Sequence, residues 1–197
     1  LKHVAFFIRN IRQIGAVAPS SAYLTERMVE PLRKMVQESP SAPLRILEVG
    51  PGTGAITRHL VPLLRSGDHV DVVELNPILH THVSKEYAAE GMHFHNMNLL
   101  GLEADVPYDF IFSGIPYESL PVHVTDMLWR KKLQLSKPGT IITYFKYLNI
   151  ISVRSPFLRQ LIAKACKEQG MEFRNLPPAR YYHLTMSESI LKEFASK

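Results

Sequence analysis

From residue 44 onward, short apolar runs alternate with longer amphipathic stretches. The runs at 44–49, 69–75, 92–95, 108–113 and 139–146 read as strands, and the stretches 55–65, 77–90, 121–135 and 156–169 as helices. Strand–helix alternation predicts a parallel sheet with helices on both faces. After Gly170, two more apolar segments, 171–176 and 180–186, flank Leu176-Pro177-Pro178 and read as an antiparallel pair, which completes seven strands. Upstream, Val4, Phe7, Ile8 and Ile11 form one helical stripe, with Lys2, Arg9 and Arg12 on other faces and no acid before Glu26. Such a helix either lies in a membrane interface with its cations against lipid phosphates or docks on the fold by its apolar stripe. Residues 14–20 read as a loop, Ser20 or Ser21 caps a helix running to about Gln37, and 39–43 form a hinge. The chain thus divides into an N-terminal helical segment, 1–43, and an α/β domain, 44–197.

Composition narrows the class. A chain of 197 residues with 46% hydrophobic content can bury one good core. Its single cysteine, Cys166, excludes an internal disulfide framework and fits a reducing compartment. No apolar run approaches the roughly 20 residues needed to cross a bilayer, and no secretory signal is evident.

The net charge of +5 is unevenly spread. Residues 1–45 carry seven Lys/Arg and three acids, 46–129 three and eleven, and 130–197 thirteen and four. The middle is acidic, as a cationic ligand favours, and both flanks are basic. Basic flanks suit phosphates on a nucleic acid or an anionic membrane, and equally an ordinary solvated surface.

The most specific chemistry lies in Leu47-Glu48-Val49-Gly50-Pro51-Gly52-Thr53-Gly54, followed by Val72-Val73-Glu74. This is a strand ending in a glycine-rich turn that opens a helix, with an acid closing the next strand. Glycines let the backbone approach a ligand closely, and the helix start offers free N–H groups. Glu74, 20 residues beyond Gly54, falls where a second parallel strand puts a carboxylate against ribose hydroxyls. The spacing Gly50-x-Gly52-x-x-Ala55 also satisfies a loose dinucleotide fingerprint. Glu48 favours S-adenosylmethionine over a nicotinamide cofactor, because an anion suits ammonium and sulfonium charges and is a poor neighbour for a pyrophosphate. The third glycine at 54 completes the E-x-G-x-G-x-G pattern, which resembles the first motif of class I methyltransferases, as Glu74 resembles their second.

Two segments fall at the carboxyl ends of later strands, where open α/β sheets bind ligands. In His95-Asn96-Met97-Asn98-Leu99, Asn98 stands where many class I methyltransferases carry an aspartate bonding the adenine amino group. Its carbonyl can accept that bond. Phe112-Ser113-Gly114-Ile115-Pro116-Tyr117 resembles the Asn-Leu-Pro-Tyr motif of rRNA adenine dimethyltransferases, with Gly114 replacing the side chain that bonds the base amine. An aliphatic amine has its own lone pair once deprotonated, so this departure points away from adenine.

Together with Ile14-Gly15-Ala16-Val17-Ala18-Pro19-Ser20-Ser21 and Asn175-Leu176-Pro177-Pro178-Ala179-Arg180, these blocks resemble the bacterial phosphatidylethanolamine N-methyltransferases, relatives of the rRNA dimethyltransferases. The resemblance implies a Rossmann-like class I fold with a seven-stranded, mostly parallel sheet, helices on both faces and an N-terminal helical extension. It also implies a peripheral enzyme on the cytoplasmic face of the membrane, with an anionic membrane surface and phospholipid as partners and no obligate protein partner. The implied S-adenosylmethionine site is Glu48, Gly50, Pro51, Gly52, Thr53, Gly54, Glu74, Leu75, Asn98, Leu99, Ser113 and Gly114. Substrate and membrane contacts fall to Lys2, Arg9, Arg12, Ser20, Ser21 and Arg180.

For methyl transfer to a neutral amine, aromatic faces stabilise spread-out positive charge. Tyr117 and Tyr147 are the catalytic candidates, with Tyr144 beside them. A tyrosine, His183 or water can take the ammonium proton, and Arg154 and Arg159 join Arg180 as phosphate candidates. His80/His82 and His93/His95 form His-x-His pairs without a third ligand at useful spacing, so no metal is expected. Tyr117 stands where the family has an aliphatic residue, as in the rRNA branch. RNA methylation therefore remains an alternative, as does a catalytically silent membrane-binding relative, for which Asn98 is the hint.

Overall fold

The computed structural model describes residues 20–38, 42–148 and 155–195. The predicted helix 1–12 with Lys2, Arg9 and Arg12, most of the 14–21 block, most of the hinge and Arg154 lie outside the described residues. In chain order, the elements begin with α1 (Ala22–Glu38), β1 (Arg45–Val49), α2 (Thr57–Leu60), β2 (His69–Val73), α3 (Pro77–Glu86) and β3 (Met92–His95). They continue with β4 (Tyr108–Ser113), α4 (Val122–Gln134), β5 (Ser136–Tyr147), α5 (Pro156–Ala165), β6 (Cys166–Glu172), β7 (Ala179–Thr185) and α6 (Glu188–Ala195). Short 3-10 turns occupy Val61–Leu63, Leu99–Gly101 and Tyr117–Ser119.

The sheet order is β3-β2-β1-β4-β5-β7-β6. The first five strands run parallel, and β7 lies antiparallel between β5 and β6. Strand order reverses between β1 and β4, so the crevice at their carboxyl ends is the ligand-binding switch point of an open α/β sheet.

Alternation along the strands separates two cores, since successive side chains point to opposite faces. Ile46, Val70, Val72, Phe110 and Phe112 pack with Leu24, Met28 and Leu32 of α1. Leu47, Val49, Ile111 and Tyr144 face Leu128 and Trp129 of α4, Leu158 and Leu161 of α5 and Phe194 of α6. Helix starts follow local chemistry. Ser21 Oγ accepts the Leu24 N–H at 3.3 Å, Asn76 Oδ1 accepts from Ile78 and Leu79 just before Pro77, and Ser155 Oγ accepts from Leu158 just before Pro156.

The structure departs from the pattern in four places. The stretch 55–65 is helical only over Thr57–Leu60, then tightens into Val61–Leu63, which contains Pro62. Helix α3 stops at Glu86, short of the predicted 90. Helix α5 ends at Ala165, and Lys167, Glu168 and Gln169 join β6 despite good helix propensity, because β7 pairs antiparallel with Glu168 and Gln169 across a register irregularity at Lys167; β6 then stops at Glu172, short of the predicted 176. Helix α6 was not anticipated. Its signal is present in Ser187, whose Oγ accepts the Ile190 N–H at 3.2 Å, followed by Ile190, Leu191 and Phe194 at helical spacing.

The amino-terminal half of the sheet is cross-linked by Asp71. Its carboxylate accepts from the Tyr108 hydroxyl at 2.7 Å and pairs with His69 at 2.8 Å and His95 at 2.7 Å. This occupies one member of the His93/His95 pair; the His93 ring stacks on His69. Burial pushes the Asp71 pKa up, but the hydrogen bonds from Tyr108, His95 and His69 outweigh it, and the net shift is downward. A depressed carboxylate contributes stability that is complete above its unfolded value of 3.8 and is lost as pH falls through the lower folded value. Asp71→Asn should therefore weaken the protein by about 1–3 kcal/mol at neutral pH, and should flatten the loss of stability in acid. Urea unfolding of both proteins from neutral pH into acid checks this, and identical pH profiles would refute it.

Candidate functional site

The switch-point crevice is built first by backbone. Beyond the strand ends, the ladder continues with Gly50 N–H to Val73 O at 2.9 Å, Gly114 N–H to Val49 O at 2.9 Å and Glu74 N–H to His95 O at 3.0 Å. Gly50, Gly52 and Gly54 all have positive φ (69°, 62° and 84°), the left-handed region that side chains disfavour. The Gly54 N–H closes the turn on Pro51 O at 2.9 Å, and Thr53 is exposed at its tip. Across the crevice, a Cβ on Gly114 would lie 2.4 Å from the Gly50 carbonyl oxygen. Glycine at 114 is thus required by packing, and the missing base-binding side chain has no room there.

Glu74 sits where the sequence places it, at the end of β2. Its Oε2 accepts the Gly52 N–H at 3.1 Å and its Oε1 the Asn76 N–H at 2.8 Å, so the carboxylate braces the glycine turn. Asn98 Oδ1 accepts the Leu100 N–H at 3.0 Å, which holds this side chain at the rim. Gly50, Glu74, Leu75, Asn98 and Leu99 line one cleft with Val49, Val73, Met97, Ile115 and Leu128; Glu48 is not part of that lining. Five of the expected cofactor residues are therefore brought together. Met97, Ile115 and Leu128 are additions that sequence reasoning missed; Met97 and Ile115 lie inside segments already singled out as strand ends.

Glu48 lies beneath the turn and is fully buried. Its Oε2 accepts from the Thr57 hydroxyl at 2.8 Å, and its Oε1 has no hydrogen-bond partner among the described residues. Burial raises its pKa to about 8, against the lowering effect of Thr57, and the Glu74 charge adds to the rise.

Three expectations need correction. Ser113 does not face the cleft: it is fully buried, and its hydroxyl pairs with the Tyr117 hydroxyl. Tyr117 itself turns into the core, 3% exposed, its ring 5.3 Å from Trp129. The hydroxyl of Tyr117 also receives a 2.7 Å bond from Lys132, whose Nζ lies 3.1 Å from the Trp129 ring centroid. Its ring is absent from the lining of the cleft at Glu74 and borders instead a small cavity beside Glu118. Tyr147 is likewise buried at 3%, packed edge-on against Phe145 with its hydroxyl bonded to Ser20. Tyr144 stacks on Tyr182 at 4.9 Å. His183 is buried with Nδ1 3.0 Å from Thr143 Oγ1, and burial lowers its pKa.

Lys132 was missed, although the helical period places it on the stripe of Thr125, Leu128 and Trp129. Fully buried without a carboxylate, it has its pKa driven well below the usual lysine value by desolvation.

The acceptor-side blocks meet in space. The Ser21 N–H donates to Asn175 Oδ1 at 2.7 Å, and Asn175 Nδ2 donates to Pro177 O at 2.6 Å. Arg180, partly exposed on β7, lies opposite Lys146 of β5. Arg159 is exposed on α5.

This topology and crevice recur in solved structures. The N-methyltransferase NodS from Bradyrhizobium japonicum, in complex with S-adenosyl-L-homocysteine, superposes with a TM-score of 0.65 at 12% identity, over 95% of this chain and 98% of that one. Magnesium protoporphyrin IX methyltransferase from Synechocystis with bound S-adenosylhomocysteine gives 0.64 at 12% identity, over 83% of each chain. A SAM-dependent methyltransferase from Leishmania major gives 0.60 at 17% identity, over 93% of this chain and 82% of that one. The fold is that of the class I methyltransferases. No family model matches the chain, and no curated protein sequence does.

Glu48 generates a prediction on stability. An acid whose folded pKa exceeds its unfolded value keeps a proton that the unfolded chain has lost, so its burial destabilises progressively as pH rises from 4.5 to about 8. Glu48→Gln keeps the acceptor for Thr57 and removes that component. The variant should be more stable than the parent at the upper end of that window, by about 1 kcal/mol or more, with the difference vanishing in acid. Thermal unfolding across the window measures it; a destabilised variant at the alkaline end would contradict the assignment.

Proposed function

We propose that the chain is an S-adenosylmethionine-dependent N-methyltransferase acting on the headgroup amine of phosphatidylethanolamine or its methylated derivatives at a membrane surface. The observation that carries the donor assignment is the cleft at the glycine turn that brings Gly50, Glu74, Leu75, Asn98 and Leu99 together. Gly50, Gly52 and Gly54 admit a close approach to backbone, Glu74 can receive ribose hydroxyls, and Asn98 and Leu99 stand where an adenine edge and face would lie. When bound, S-adenosylmethionine supplies a methyl group activated by its sulfonium.

This chain's own residues supply position and exclusion of water. Gly50 and Gly114 hold the ends of β1 and β4 together, while Ile115 and Leu128 make one wall apolar. Orienting two reactants in such a dry crevice provides much of the rate in transfers of this kind. An amine acceptor is supported by Gly114, which leaves no side chain to bind a planar base amine. A lipid acceptor is supported by the basic flanks and by the meeting of the 14–21 and 175–180 blocks at Ser21 and Asn175. Among the described residues no helix is long and apolar enough to cross a membrane.

The test is transfer of a labelled methyl group by the purified chain to phosphatidylethanolamine in anionic liposomes or to unmodified rRNA. Label should enter the lipid. Label in RNA alone would replace this reading with RNA methylation, and label in neither, with the donor bound normally, would mean a silent relative. Glu74→Ala should weaken donor affinity at least about tenfold, since one lost hydrogen bond to a charged group is worth about 1.5–3 kcal/mol. Calorimetric titration with S-adenosylhomocysteine reads this directly; unchanged affinity would remove Glu74 from the donor site.

A further inference from the structure

Glu118 is a buried charge that the donor site does not use. It follows Tyr117 in the 3-10 turn Tyr117–Ser119 beyond the carboxyl end of β4 and is 9% exposed. Neither carboxylate oxygen has a hydrogen-bond partner in another residue among the described residues. It lines a small cavity with Tyr117, Leu120, Thr125, Ser155 and Leu158. That cavity is adjacent to the donor cleft, because Thr125 and Leu128 of α4, which line the two, lie three residues apart on one helix face. The charged and titratable groups facing Glu118 are Lys146 at the end of β5, Tyr117, Tyr144 and, from β7, Tyr182. None of them bonds it, and Lys146 acts only through its charge. A buried carboxylate left unpaired is costly, by roughly several kcal/mol.

A second irregularity lies on the same sheet face. The β5–β7 register sets Lys146 directly opposite Arg180, two residues along from the stacked Tyr144–Tyr182 pair. Like charges directly opposed across a ladder repel. The side-chain partner of Arg180 is the Tyr182 hydroxyl, which brings no negative charge at neutral pH, since burial raises its pKa. At one end of one face, therefore, stand an unpaired buried anion and two adjacent cations without an anion between them. A single small molecule carrying an ammonium and a phosphate a few bonds apart satisfies both.

We infer that Glu118 receives the ammonium of the methyl acceptor while Lys146 and Arg180 receive its phosphate, so that the acceptor site is built for a phosphoethanolamine group. The inference rests on the N-methyltransferase reading above and names the substrate chemistry of that site. The carboxylate also completes the proton balance. One N–H bond of the ammonium breaks, its electron pair stays on nitrogen as the lone pair, and the proton passes to a Glu118 oxygen. Amine and carboxylic acid are then both neutral, as a dry cavity favours. Burial holds Glu118 at about 7, its own backbone N–H and Lys146 limiting the rise, so it can both accept and return that proton near neutral pH.

The test uses the full chain saturated with S-adenosylhomocysteine and titrated calorimetrically with free phosphoethanolamine, with a soluble short-chain phosphatidylethanolamine, and with ethanolamine. Binding of free phosphoethanolamine identifies the headgroup as sufficient; binding of the short-chain lipid alone assigns the glycerol part a share. Ethanolamine should bind at least about tenfold more weakly, a difference of 1.4 kcal/mol. Glu118→Gln should weaken the phosphorylated amines at least tenfold without changing S-adenosylhomocysteine affinity, and should abolish the rise of kcat/KM with pH near neutrality. Lys146→Gln and Arg180→Gln should weaken the phosphorylated amines and leave ethanolamine unaffected. Full affinity in Glu118→Gln, or no binding of either phosphorylated amine by the parent, overturns the inference. If the parent still methylates phosphatidylethanolamine in liposomes, only this acceptor site is lost; if it methylates no lipid, the N-methyltransferase reading falls with it.

Discussion

The approach of two backbones at the switch point is the constraint on which the other features depend. Gly114 rests against the carbonyl of Gly50, where a Cβ would stand 2.4 Å from oxygen, and a Cβ on Gly50 would in turn press to 3.2 Å on Ile115. Neither strand end can carry a side chain at this point. The consequence is a crevice whose floor is peptide groups, with side-chain chemistry confined to its margins: Glu74 and Asn98 on one side, Ile115 and Leu128 on the other. Glu74 bonds the Gly52 amide, so an acid that lines the cleft also stiffens the turn beneath it.

The interior moves its ionisable groups toward neutrality. Burial raises Glu48 and Glu118 and lowers Lys132. The three differ in what surrounds them. Lys132 is satisfied by the Tyr117 hydroxyl and by the faces of Trp129 and Tyr117, so it belongs to the architecture of the core. Glu48 keeps one bonded and one orphaned oxygen, and Glu118 has both orphaned.

Most of the fold was legible because its signals are local and repeated. Seven strands, the closing antiparallel pair and the cap at Ser20 or Ser21 all follow from patterns a few residues long. The glycine turn and the acid 20 residues beyond it were legible for the same reason, since each reports a backbone requirement. What escaped depends on contacts distant in sequence. Glu168 and Gln169 became strand only because β7 was there to pair with them. Tyr117 was read as an open aromatic, but Trp129, Lys132 and Tyr144 enclose it. Glu118 carries no motif at all; its character comes from the walls around it. Side-chain type and spacing reveal where a chain turns, and only packing reveals which way a side chain faces.

The bond from Ser21 to Asn175 joins positions 154 residues apart. During synthesis from the amino terminus, every residue lining the donor cleft, the last being Leu128, has been made before Asn175 exists. Arg180 follows five residues later still, on the strand that must slide between β5 and β6 to finish the sheet. A nascent chain can therefore hold the parts of a nucleotide crevice while α1 has nothing to anchor its first turn. Closing so long a loop is entropically expensive and belongs late in folding. The order of assembly is written into the topology: the residues of the glycine-turn cleft are complete in sequence first, and the sheet is closed by β7, the last strand made.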